Sequence, residues 1–242
     1  MDLGSFVLAA STADLGEEPA AREHADAVEF RMDLADDPLG QLEAYDGELP
    51  LIATNRVVWE GGEAPDGEAR LDALVEAVSQ PAVEAVDVEL DAVQVGMIED
   101  VLDEERADAE RVLDHARDAG VSVIVSAHDF EGMPGVDGIR RVLMRAAELG
   151  GVAKFAGTAE TAGDALDLLS ITYERSEAGD AVATMAMGET GRHTRAVAPV
   201  YGSKVGYAPV DPARATAPGQ YDLETLRSLV DRLRAGRPVT ED

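Results

Sequence analysis

One lysine stands inside a short apolar run, GVAKFA (151–156). The chain has 20 Lys and Arg residues, and lysine occurs only at 154 and 204, so the other 18 (20 − 2) are arginines. Burying an unpaired ammonium is expensive, and arginine already serves ordinary charge pairing here. A lysine in such a run is suited to what arginine cannot do. Arginine holds its proton near neutral pH, whereas an amine can lose it. A free amine can attack a carbonyl and form a Schiff base.

Other polar residues fall at the ends of apolar runs. Glu29, Arg31 and Asp33 end AVEFRMD (27–33), and Arg56 ends LIATNR (51–56), with Glu60 just beyond. Asp87 and Glu89 lie in AVDVEL (85–90), and Ser126, His128 and Asp129 end VSVIVSAHD (121–129). Arg195 follows AVATMAM (181–187) in MGETGRHTR. Histidine with a pKa near 6.5 suits proton transfer. Each group also has a plain structural alternative. Glu29–Arg31 and Asp87–Glu89 have the alternative of buried structural ion pairs, His128 of a loop cap, and Met185 and Met187 of core filling. His24, His115 and His193 share no metal-ligand spacing with His128. No glycine-rich phosphate loop, calcium loop or nucleophile elbow is present. The residues therefore imply neither a metal nor a nucleotide cofactor.

What positions these groups is an alternation of strands and helices. Besides the six runs above, strands are expected at 5–10 and 199–208, which makes eight. Helices are expected at 67–80, 109–120, 136–150, 159–176 and 221–236, and only weakly near 17–25, where Pro19 intervenes. Several end in glycine, as a helix C-cap should. The strands read as nearly continuous apolar runs, which suits a parallel sheet covered on both faces. Eight βα units in 242 residues predict an α/β fold, a single (β/α)8 TIM barrel spanning 1–242. A doubly wound open sheet is the runner-up. In a barrel the active site lies at the C-terminal ends of the strands, where the polar residues collect. The Pro-rich loop 209–220 precedes the last helix and reads as a lid.

Asp and Glu number 49, giving a formal net charge of −29. Such a surface repels nucleic acid and anionic membrane, so neither is an expected partner. Apolar segments recur along the whole length, which argues against disorder. Dense carboxylates and scarce lysine instead fit a high-salt cytoplasm, where screening relieves self-repulsion. The absence of cysteine rules out disulfides and Cys-based zinc sites. The first residues lack a basic n-region, and no segment approaches membrane-spanning length, so a cytoplasmic protein is expected.

Together these motifs resemble those of type I 3-dehydroquinate dehydratase, the Schiff-base enzyme of the shikimate pathway. The motifs are EFRMD (29–33), RVVWE followed by GG (56–62), DVEL (87–90), SAHDF (126–130), AKFA (153–156), MAMGETGRHTR (185–195) and TAPGQ (216–220). Each alone is weak; their order and spacing are specific, over about residues 6 to 236. The resemblance implies that Lys154 forms an imine with the C3 ketone of 3-dehydroquinate and that His128 is the general acid/base. Glu60 would orient the histidine. Arg195 would hold the substrate carboxylate, Glu29, Arg31 and Arg56 its hydroxyls, and Thr216 and Gln220 the closing-loop contacts. Ser11 matches a further substrate-binding serine, and Asp87 and Glu89 a pair beside the lysine. The small-molecule substrate would need no cofactor, and the resemblance implies a homodimer, for which 136–150 or the last helix would supply the interface.

The chain departs from the family pattern at Thr216 and Thr194, each in place of serine, and at Tyr207, in place of a pocket phenylalanine. The stretch from Tyr207 to TAPGQ is also about two residues longer. A class I aldolase is the second enzyme reading, disfavoured by SAHDF and TAPGQ. A non-catalytic acidic binding protein is the third.

Overall fold

In the computed structural model, residues 1–93 and 103–235 are described. Eight strands run in chain order: β1 (Val7–Thr12), β2 (Ala27–Arg31), β3 (Leu51–Thr54), β4 (Val83–Glu89), β5 (Ser122–Asp129), β6 (Val152–Thr158), β7 (Val182–Met187) and β8 (Val205–Pro209). They form one parallel sheet ordered β7-β6-β5-β4-β3-β2-β1-β8. The β7–β8 seam has no full ladder. It is closed by a bridge between Val182 and Ser203, with the Lys204 N–H donating to the Val182 carbonyl at 2.7 Å. This is the expected (β/α)8 barrel rather than an open sheet.

The helices are α1 (Glu18–Ala21), α2 (Pro38–Ala44), α3 (Glu68–Val78), α4 (Leu90–Val93), α5 (Asp103–Ala119), α6 (Val136–Glu148), α7 (Ala162–Glu177), α8 (Gly188–Gly191), α9 (Thr194–Val197) and α10 (Leu223–Arg234). Their apolar residues recur at helical spacing and face the sheet. α6 buries Ile139, Val142, Leu143 and Ala146. α3 buries Leu71 and Leu74, each contributing about 1.5–3 kcal/mol by leaving water. Thr161 and Asp164 form a capping box that starts α7.

The expected elements shift in instructive ways. Near 17–25 only α1 is helical, and α5 begins six residues before the expected 109. Residue 236, the expected end of the last helix, lies outside the described residues. The expected strand 199–208 shortens to β8: Ala198–Tyr201 is a 3-10 turn, and Gly202 follows with φ +104°. Strand one sits two residues later than 5–10. The segment before it packs Met1 and Leu3 against the barrel's lower interior. The N-terminal amine pairs with Glu84, and Lys204 Nζ donates to the Gly4 carbonyl at 2.7 Å.

Inside the barrel, side chains alternate along each strand and stack in layers. Ala9, Ile52, Ala85, Ile124, Val152, Ala183 and Val205 belong to an apolar interior cluster. Two residues further along most of these strands come Ser11, Thr54, Asp87, Ser126, Lys154, Met185 and Tyr207. The runs that read as continuously apolar thus carry a polar upper layer on their inner face.

Candidate active site

Strand register places the polar groups side by side. Ser126 lies opposite Lys154, Thr54 opposite Asp87, Glu89 opposite Ser126, and Ser11 opposite Glu29. Lys154 is only 4% exposed, and its Nζ donates to Asp87 Oδ2 at 2.9 Å. The other Asp87 oxygen accepts from Arg56 Nη2 at 2.7 Å and from Ser126 Oγ at 2.6 Å. Arg56 Nη1 donates to Glu89 at 2.9 Å and to Ser126 at 2.8 Å. Glu89 in turn accepts from Arg70 Nη1 at 2.8 Å, and Arg70 also donates to the Asn55 carbonyl.

Burial alone would raise the Asp87 carboxyl. The charges of Arg56 and Lys154 overcome that and hold it well below the usual carboxylate range. Asp87 is therefore a fixed anion beside the lysine. Asp87 and Glu89 do not pair with each other, as one sequence reading allowed. They flank Arg56 instead.

His128 closes the other side of the cavity. Its Nδ1 lies 2.8 Å from Glu60 Oε2, and its Nε2 has no hydrogen-bond partner among the described residues. Glu60 sits in the 3-10 turn Val58–Glu60 after β3. Burial, then the charges of Arg56 and Lys154, push the ring's pKa well below its ordinary value. Burial pushes Glu60 up, although Arg56 opposes it. The ring is thus neutral near pH 7. With Nδ1–H donated to Glu60, Nε2 is left as the basic nitrogen. Phe130 stacks on the ring at 6.2 Å between centroids. Gly61 makes room for it: φ is +78°, and a Cβ there would lie 2.4 Å from Phe130.

A cavity of about 510 Å³, counting its open mouth, joins these groups. Glu29, Arg31, Arg56, Glu60, His128, Lys154, Arg195, Thr216 and Gln220 all line it. Ser11 does not; its hydroxyl donates to Glu29, which also accepts from Thr54. Arg31 forks onto Asp33 at 2.8 and 2.6 Å rather than pairing with Glu29. Met185 and Met187, read as core filling, are indeed in the core but also form a wall of the cavity.

Arg195 differs from the other buried cations. It is 4% exposed and has no carboxylate partner among the described residues. Its Nη2 donates to the Pro218 carbonyl at 3.2 Å, and its Nε is unpartnered. Burial and the nearby Arg192 charge pull its pKa down to about 10. A buried guanidinium in this state is a ready receptor for a carboxylate. The loop carrying Pro218 lies over the cavity. Gln220 Oε1 accepts the Thr216 N–H at 2.9 Å, and Gly219 turns with φ +75°, where a Cβ would come within 2.5 Å of the Gly188 carbonyl. Among the described residues, no group of three or more His, Asp or Glu side chains is arranged to hold a metal ion.

A family model for type I 3-dehydroquinase matches residues 7–236. The chain belongs to the type I 3-dehydroquinase family. Its activity is that of a 3-dehydroquinate dehydratase, a hydro-lyase. The 3-dehydroquinate dehydratase of Haloarcula marismortui is 57% identical, with 97% of this chain and 99% of that protein covered. That of Halobacterium salinarum is 52% identical, covering 95% and 98%. The solved Geobacillus kaustophilus enzyme has a TM-score of 0.78 at 27% identity, covering 96% of this chain and 93% of its own. The type I enzyme of Clostridium difficile, solved with covalently modified comenic acid, has a TM-score of 0.77 at 26% identity, covering 95% and 92%. The haloarchaeal relatives agree with a halophilic origin for the acidic composition.

Within this dehydroquinase the sequence reasoning missed Arg70, Asn55 and Phe130. Arg70 had a signal: it shares the buried face of α3 with Leu71 and Leu74. Phe130 sits inside the SAHDF motif, but its stacking on the histidine depends on Gly61 from another strand's loop.

Proposed function

We propose that the chain dehydrates 3-dehydroquinate through an imine on Lys154, with His128 as the general acid/base. The observation that carries this is one cavity lined by a buried amine and by an oriented, neutral imidazole with a free Nε2. The Lys154 amine attacks the C3 ketone, and loss of water gives the protonated imine, an electron sink. His128 Nε2 takes a proton from C2. It then returns that proton to the departing C1 hydroxyl, which leaves as water. Water hydrolyses the imine, restores the amine and frees 3-dehydroshikimate. The net change is the loss of one water.

Asp87 stabilises the cationic nitrogen at both stages, because it remains an anion. Arg195 holds the substrate carboxylate. Glu29, Arg31 and Arg56 meet the ring hydroxyls, with Ser11 and Thr54 fixing Glu29. Thr216 and Gln220 complete the loop side of the cavity. Turnover of 3-dehydroquinate by wild type and by Lys154→Ala tests the scheme. The variant is expected to fold and to show no dehydration. A Lys154→Ala protein with wild-type turnover contradicts it.

A further inference from the structure

The cavity has one polar group that the scheme above leaves idle. Tyr207 points inward from β8, in register with Ala9, and is only 4% exposed. Its hydroxyl makes no hydrogen bond to the protein, yet it is shut off from solvent. Its ring lines the cavity, and the Lys154 Nζ sits 4.4 Å from the ring centroid. A buried donor left unpaired destabilises the fold. Phenylalanine would fill the same space without that cost. A ligand joined to Nζ must lie beside this ring.

We propose that the Tyr207 hydroxyl is a further substrate-binding group, donating a hydrogen bond to an oxygen of the hydroxylated ring carboxylate bound at Lys154. The inference rests on the proposed function and deepens it. Burial, with the Glu29 and Asp87 charges, keeps the phenol protonated, so it serves as a donor and not as a base. The ring face also favours a cation above it, whether the ammonium or the protonated imine. The hydroxyl adds specificity for an oxygen-bearing ligand, because an unoxygenated ring would leave it unpaired.

Tyr207→Phe removes the hydroxyl and keeps the ring. We expect KM for 3-dehydroquinate to rise about three- to ten-fold, the range of one neutral hydrogen bond, with kcat falling less than KM rises. The unliganded variant should melt at or above the wild-type temperature, and its melting point should rise less than the wild type's when 3-dehydroshikimate is added. A merely structural hydroxyl predicts the reverse: a lower melting point and an unchanged KM. An unchanged KM overturns the inference. Wild-type turnover in the same assay tests the underlying function separately; if wild type does not dehydrate 3-dehydroquinate, both fall.

Discussion

Lys154 and Lys204 carry the same side chain in opposite settings. Lys204 Nζ ties the Gly4 carbonyl to the start of β8, at the barrel's N-terminal end. Lys154 Nζ is buried against a single fixed anion and faces a cavity. His128 illustrates the same control by surroundings. Its ring is disfavoured as a cation by burial and by the Arg56 and Lys154 charges. An NMR titration is therefore expected to find His128 still mostly neutral at pH 6.5, its ordinary midpoint. The unfolded chain takes up that proton more readily, so the stability it confers is complete above pH 6.5 and declines as pH falls. A midpoint above 6.5 contradicts this environment. Removing the ring in His128→Ala should lower turnover about 10²–10⁴-fold while imine formation persists. At this scale the sequence was most legible for residues that act directly. Ser11 was harder, because only strand register shows that it reaches Glu29 and stops there.

The strands act as a register-setting frame. Arg56, just past β3, reaches Asp87 and Glu89 on β4 and Ser126 on β5. Arg56→Met would take a partner from three buried carboxylates, Glu60, Asp87 and Glu89. It is expected to destabilise the fold by about 3–5 kcal/mol, measured by denaturant unfolding at constant salt. A loss under 1 kcal/mol would show the network to be dispensable. The strand count and the strand-end clustering of polar groups were readable, because apolar runs and polar ends are local patterns. The limits of β8 were not. Val200 and Tyr201 look like strand residues, but Pro199 and the left-handed Gly202 make a tight turn there. The inner and outer faces also merged into one apolar run in the sequence. Both faces of a barrel strand are covered, so alternation fades except where the upper interior turns polar.

The whole molecule places a small, buried centre of paired charges inside a strongly acidic shell. Charge on the shell opposes compactness at low salt, and screening shortens its range from about 10 Å at 0.1 M to about 3 Å at 1 M. The melting temperature is therefore expected to rise as KCl increases from 0.1 to 3 M. A melting point independent of salt would contradict the halophilic reading and leave the chemistry untouched. Against a net charge of −29, the anionic substrate needs a local receptor, and Arg195 is the buried guanidinium without a carboxylate partner among the described residues. Composition announced the shell plainly. It could not announce Arg195's isolation, which depends on where every nearby carboxylate points. The central claim is an imine on Lys154, and trapping it is the most direct test. Borohydride added with 3-dehydroquinate should reduce the imine and leave a stable ligand mass on the peptide carrying Lys154, and none in Lys154→Ala. No added mass on wild type, or mass on Lys204 instead, would contradict the account.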